Sequence, residues 1–364
     1  MTRPPPVDDG AGEAAGHGTE LPRPITVAVA NHNGREVLPD TLAALDAVRD
    51  DRTEVLMVDD GSDDGSPEWV EEHHPHVRVI RMGRNTARLN VVRNAALEAA
   101  SCRYVFLTDN DVSVEPGCLA TLLEVVLREP DVLCCTPRLV YHDEPGRIYH
   151  DGGELHFLCV STAVPRGLRV AEHPPGPPAP TVGGGIMLID REASREIGGF
   201  DAGYLLGWGD DGEFHVRGRL AGYRVLQVSS AAARHVERPR RTDRALGQLY
   251  NRYRLLLTAY SLRSLLLLAP ALVLFEVALT AASLAGGFFG ERMTALLRAL
   301  GDLQDLLGRR REVQGRRRVE DREVLSGGPL MVPSGLEGTG WARVGARATA
   351  AVTNLYWRGV RRWL

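Results

Sequence analysis

The sequence predicts an α/β fold: a Rossmann-like mixed sheet with helices on both faces, followed by a helical, membrane-associated region. Three observations predict it. β-rich apolar runs alternate with segments of helical periodicity from Ile25 to Leu107, acid-rich loops close the strands, and the chain turns leucine-rich and arginine-flanked from Ser264 onward.

Residues 1–24 are rich in Pro, Gly and acids and lack the apolar core of a signal peptide, so they are expected to be a disordered leader. Ile25 to Ala30 reads as a first strand. Leu38, Leu42, Leu45 and Val48 then recur at helical spacing. Val55 to Val58 is a second strand, and Ser66-Pro67-Glu68 supplies the N-cap, N1 proline and first-turn acid of a helix start. A third strand over Val77 to Met82, a helix over Val91 to Ala100 and a fourth strand over Tyr104 to Leu107 complete the alternation. In such a sheet ligand loops lie at the carboxyl ends of the strands, where Asp59-Asp60 and Asp109-Asn110-Asp111 fall.

Leu119, Leu122, Leu123 and Val126 mark another helix, after which Val132 to Val164 reads as strands and hairpins and Pro165 to Thr181 as a Pro-rich loop. Ile186 to Ile189, a short helix ending near Gly198-Gly199, a helix carrying Asp210, Asp211 and Glu213, and a strand over Tyr223 to Val228 that leads to His235 extend the same sheet.

The formal net charge of -4 argues against a nucleic-acid binder. The chain contains no lysine, which excludes Schiff-base chemistry and the lysine-bearing phosphate loop. Cys102, Cys118, Cys134, Cys135 and Cys159 show neither metal-ligand spacing nor a disulfide framework and read as reduced thiols of a cytosolic domain.

Two carboxylates at a strand end can hold a hard divalent cation through oxygen and leave coordination positions for a diphosphate. Four features share one order: the loop VDDGSDDGS from Val58 to Ser66, the segment Arg84-Asn85 through Arg93-Asn94-Ala95, the strand end LTDND, and IGGFDAGYLLGWGDDGEFHVR from Ile197 to Arg217 with the later Ala233-Arg234-His235. From about Ile25 to His235 the series resembles the family 2 glycosyltransferases of the GT-A fold. It is most similar to those members that build bacterial surface glycans, such as rhamnosyl- and galactofuranosyltransferases.

The resemblance implies an inverting, metal-dependent transfer from a nucleotide-diphosphate sugar to a lipid-linked or cell-surface glycan acceptor. It implies Asp111 as first choice for the Mn²⁺ or Mg²⁺ ligand, Asp109 as sharing that role or holding the ribose, and His235 as a further ligand. Asn31, His32, Asp59, Asp60 and Arg93 are expected on the nucleotide side. Gly184 and Gly185 would let backbone approach the donor sugar, and Trp208 precedes the acids in the family's order. Asp211 matches the catalytic aspartate, with Asp210 and Glu213 orienting the helix, the acceptor or Asp211 itself. The family usually has glycines where Ala87 and Ala96 stand. Two alternatives stay open: a haloacid-dehalogenase-like phosphohydrolase, because Asp109-Asn110-Asp111-Val112 also fits that nucleophile motif, and a non-catalytic membrane-bound scaffold.

The catalytic domain is expected over 25–250, a hydrophobic and basic helical region over 251–325 and a tail over 326–364. Ser264 to Gly290 is long enough to span a bilayer, but Glu276 lies at its centre and arginines flank both sides. A re-entrant or in-plane anchor on the cytoplasmic leaflet, drawn to anionic lipid, is favoured over a single span, with burial against a partner subunit as the alternative.

Overall fold

The computed structural model describes residues 20–205, 209–237, 244–330 and 340–364. Most of the expected leader, 1–19, lies outside them. At its described end, Leu21 is buried and its N–H donates to Asp50 Oδ2 at 3.0 Å.

The elements run β1 (Ile25–Asn31), α1 (Leu38–Val48), β2 (Glu54–Asp59), α2 (Ser66–His73), β3 (Val77–Arg81), α3 (Leu89–Ala99), β4 (Tyr104–Asp109), β5 (Val112–Val114), α4 (Cys118–Arg128) and β6 (Val132–Tyr141). They continue with β7 (Ile148–His150), β8 (Gly153–His156), β9 (Val160–Ala163), β10 (Ala179–Pro180), β11 (Met187–Asp190), α5 (Arg191–Ile197), α6 (Asp210–Leu220) and β12 (Arg224–His235). Then follow α7 (Arg244–Ala259), α8 (Leu262–Ala285), α9 (Phe289–Gly301), α10 (Leu303–Arg316), β13 (Leu325–Ser326) and α11 (Gly340–Val360). The expected domain boundary at residue 250 falls inside α7. Ser66 is the first helical residue of α2 rather than its cap; Gly65, at φ +74°, takes the cap position.

The large sheet has the order β10-β12-β6-β11-β4-β1-β2-β3, with β5 on β12 and β7 on β6. β1 to β4 are mutually parallel, and β11 is the reversed strand between β4 and β6. Period 2 sorts the side chains. Ile25, Val27 and Val29 of β1 pack with Leu38, Leu42 and Leu45 of α1 and Leu122 of α4, whereas Ala28 faces Val92 of α3, Ile197 of α5 and Phe214 of α6. Both faces are therefore covered, as parallel strands require.

The chain steps from β1 to β2 and β3 on one side and returns with β4 on the other. That reversal opens a crevice at the carboxyl ends of β1 and β4. Register places Ala30 beside Asp109 and Asn31 beside Asp59, so the acid loops lie along one edge.

The C-terminal helices are tied to this domain by ions as well as apolar contacts. Arg254 of α7 grips Asp201 through Nε and Nη2 at 2.8 and 2.9 Å and reaches Asp305 of α10 at 2.7 Å. A second small sheet, β13-β8-β9, packs under α11, where Trp357 stacks on Phe157 at 4.7 Å.

Candidate active site at the carboxyl edge of the sheet

The loops at the ends of β1 to β4 form a hydrogen-bonded frame. Asn31 Nδ2 donates to Asp59 Oδ1 at 2.8 Å and Ser66 Oγ at 2.9 Å, and Asn31 Oδ1 accepts from Asn110 Nδ2 at 2.7 Å. Asp59 also accepts from the hydroxyl and N–H of Ser62 and is 3 % exposed. Its carboxylate holds the loop and presents little to a ligand. Asp60 accepts from Thr86 N–H and Oγ1 at 2.9 and 3.0 Å, and the more exposed His32 ring meets Asn85 Nδ2 at 2.8 Å. A Cβ on Gly61, at φ +69°, would lie 2.4 Å from the carbonyl carbon of Arg84, so only glycine lets these loops touch. Ala87 stands at φ +52°, a left-handed conformation at a place where the resemblance leads one to expect glycine.

The second half of the site is organised around Arg93. This guanidinium is 4 % exposed and pairs with Asp210 at 3.0 Å while donating to Asn90 Oδ1 at 3.1 Å. Arg93, Asp109 and Gly185 line one small buried cavity between α3 and the ends of β1 and β4. Burial pushes the Asp109 carboxyl up to about 6; Arg93 opposes the shift and Asp111 reinforces it. Burial likewise raises Asp210 to about 6 despite its ion pair, with Asp211 adding like charge.

Asp211 differs from both. Burial works to raise its carboxyl, but Arg93 and the N–H groups of Gly212 and Gly184 outweigh it and hold it below the ordinary value. Gly184 N–H donates to Oδ2 at 2.7 Å and Gly212 N–H to Oδ1 at 2.8 Å. Asp211 is thus an ionised carboxylate at neutral pH, sitting in the first turn of α6 where the helix dipole favours it.

Gly183 and Gly184 adopt φ +95° and +115°, and a Cβ on Gly184 would meet Thr136 Cγ2 at 2.9 Å. His215, fully buried, accepts the Gly183 N–H on Nδ1 at 3.0 Å, and burial lowers its ring to about 4, keeping it neutral. This loop anchor carried no sequence signal beyond a polar residue on a buried helix face.

Both Glu213 oxygens accept from Arg217 at 2.9 Å, and Oε1 accepts the Asp201 N–H at 2.7 Å, so this side chain ties α6 to the chain at Asp201. Trp208 lies outside the described residues. Asn90, absent from the sequence candidates, donates to the carbonyls of Asp201 and Asp210 at 3.1 and 3.0 Å, tying α3 to α6. The hint was available: Asn90 and Arg93 interrupt the apolar face of α3 three residues apart.

β12 brings His235 to Asp111. His235 pairs with Val112 at the end of the β5–β12 ladder, with His235 Nε2 3.8 Å from Asp111 Oδ1 and Val236 N–H donating to the Asp111 carbonyl at 3.0 Å. The His235 ring stacks on Tyr149 at 4.3 Å, and Arg166 lies 4.0 Å over the other ring. Among the described residues one trio of possible ligand atoms lies within 4.8 Å of one another, Asp46, His74 and His76, at the opposite edge of the sheet, where Arg49 and His76 already engage Asp46.

Residues 26–198 match the family model described as glycosyl transferase family 2, and residues 169–242 match that of the N-terminal domain of galactosyltransferase. An N-acetylglucosaminyl-diphospho-decaprenol L-rhamnosyltransferase of Mycobacterium tuberculosis is 26 % identical over 221 residues, 53 % of this chain and 70 % of that protein. A chondroitin synthase of Escherichia coli is 26 % identical over 258 residues, covering 62 % of this chain and 37 % of its own length. The fold is similar to that in a crystal structure of GalNAc-T7 with UDP, GalNAc and Mn2+, with a TM-score of 0.52 at 19 % identity over 64 % of this chain and 48 % of that one. With the sheet order and the acid-lined crevice already in place, the match assigns residues 26–198 to glycosyl transferase family 2, and the chain is a glycosyltransferase of GT-A fold.

Proposed function

We propose that this chain is an inverting, divalent-cation-dependent glycosyltransferase that moves a sugar from a nucleotide-diphosphate donor to a lipid-linked or cell-surface glycan acceptor at the cytoplasmic face of the membrane. The observation that carries the proposal is the placement of ionised Asp211 beside the Gly183–Gly185 loop, in the same buried charge cluster as Asp109 and Arg93.

The donor chemistry suits a hard or borderline cation: Asp111 Oδ1 lies 3.8 Å from the His235 ring, and the buried Asp109 carboxyl feels the charge of both, while the ligand atoms of the three are not all within 4.8 Å of one another. When bound, a Mn²⁺ or Mg²⁺ ion would offset the charge that grows on the departing nucleoside diphosphate. The protein's own residues do the rest. Asp60 and His32 face the nucleoside from a frame that Asn31 and Asp59 hold. The bare backbone of Gly183–Gly185 leaves room for the sugar, and Arg93 keeps Asp109, Asp210 and Asp211 together.

Asp211 takes the proton of the acceptor hydroxyl as that oxygen bonds to the anomeric carbon and the bond to the diphosphate breaks on the far side. Asp210 and Glu213 position the helix that carries it. The acceptor class follows the decaprenol-linked substrate in the rhamnosyltransferase's name and the apolar C-terminal helix. A phosphohydrolase reading fares worse, because Asp109 ends the fourth strand in chain order and there is no lysine to assist.

Thermal shift against a panel of UDP-, GDP- and dTDP-sugars, with and without Mn²⁺ or Mg²⁺, tests the reading. A ligand at a hundred times its Kd stabilises by about 2.7 kcal/mol. One donor is expected to raise Tm in a metal-dependent way. No shift with any donor under either metal would overturn it.

A further inference from the structure

Among the described residues, every large apolar side chain exposed by more than about a third, apart from Leu127, lies at or beyond Leu262. On α8 the most exposed are Leu262, Leu266, Val273, Val277 and Leu284, at 62–68 %. Their steps of four and seven residues place them on one stripe of the helix. The opposite side of α8 is docked: Leu268, Ala271 and Leu272 are buried, and Glu276 is ion-paired to Arg252 of α7 and Arg292 of α9. The central acid that makes α8 a poor membrane span is therefore ion-paired to α7 and α9, and the exposed stripe of α8 presents leucine and valine bordered by Pro270 and Ala281.

α11 continues the surface. It is joined to α8 by the Tyr356 hydroxyl, which donates to the Leu267 carbonyl at 2.7 Å, and it exposes Val344, Val352 and Leu355 at 57–72 %. Apart from the paired Glu276, the charges on these two segments have one sign. Over 262–285 and 340–364 the exposed charged residues are Arg263, Arg343, Arg347, Arg358, Arg361 and Arg362, and no acid besides the paired Glu276 occurs in either stretch. Trp341 and Trp363, about half exposed, stand near the ends of the α11 segment.

We infer that α8 and α11 form a single lipid-docking face on which the protein lies in the plane of an anionic bilayer, with α8 seated in one leaflet and not crossing it. The apolar stripe provides burial, and the arginines provide attraction to acidic headgroups that a second copy of the same positive face would repel. The inference deepens the membrane part of the proposed function and does not depend on its chemistry.

Flotation of the full chain with vesicles of phosphatidylcholine alone, or of phosphatidylcholine with phosphatidylglycerol, tests it. Binding is expected to the anionic vesicles, to be released by alkaline carbonate, and to be lost in the double variant Leu266→Glu/Leu355→Glu. The milder pair Arg361→Gln/Arg362→Gln should lower partitioning roughly thirty-fold, at about 1 kcal/mol for each arginine near the surface. Carbonate-resistant binding to both vesicle types would show a spanning helix and overturn the inference. So would absence of flotation together with a concentration-dependent dimer in light scattering that Leu355→Glu disperses. Donor-induced thermal shift, measured on the same variants without vesicles, separates failure of this inference from failure of the glycosyl-transfer reading.

Discussion

Two acid-rich strand ends flank β1 on the carboxyl edge of the sheet, and the fold treats them in opposite ways. At the end of β2, Asp59 has its acceptor capacity taken up by Asn31 and Ser62, and Asp60 accepts one hydrogen bond on each oxygen from Thr86. At the end of β4 and in the first turn of α6, Asp109, Asp210 and Asp211 share the field of one buried arginine, and two of the three carboxyls are pushed up to about 6. The first arrangement is a frame whose charges are satisfied by neutral hydrogen bonds. The second holds more negative charge than its own cation balances, which is the condition a bound metal or a proton relieves.

That contrast can be broken most forcefully at Arg93. Arg93→Ala strands Asp210 and Asp109 as buried charges without their guanidinium, and loss of one partner of a buried pair costs about 3–5 kcal/mol. Urea denaturation is expected to show a loss of that size; a loss below about 1 kcal/mol would mean that the carboxyls are already protonated in the free protein. Asp59→Ala probes the other arrangement with a smaller effect. It removes the acceptor for Asn31 and Ser62, at a cost of about 1–3 kcal/mol, while donor affinity in the folded protein changes by less than about tenfold. Calorimetric titration that finds affinity abolished at unchanged stability would move Asp59 from the frame into the ligand contacts.

The same contrast shows how much of the molecule was legible in the chain. The alternation of β1 to β4 with helices was readable because each element declares its own period, as in Leu38, Leu42 and Leu45 of α1, all buried. Strand ends were readable because apolar runs stop at acids. What could not be read were partners distant in sequence. Nothing in Asp59-Asp60 distinguishes a frame acid from Asp109, since the difference lies in Asn31, Thr86 and Arg93, which are 26 to 28 residues away in the first two cases. Glu276 looked like a charge in a membrane helix until Arg252 and Arg292, 24 and 16 residues off, closed on it. His215 and Asn90 were passed over because each works through backbone groups of a loop that only the fold brings near. The reversed strand β11 was equally invisible, because a short apolar run reads the same in either direction.

The central claim is that the Arg93 cluster is where the bond is made and that Asp211 is its base. Parallel measurement of donor Kd and transfer rate at saturating donor for Asp211→Asn tests it most directly. The substitution keeps the shape and the acceptor oxygen for one backbone N–H but removes the charge that receives a proton, so donor Kd should change little while transfer falls about 10²–10⁴-fold. Transfer within a few-fold of the wild type, or an equal collapse of donor binding and turnover, would contradict the assignment.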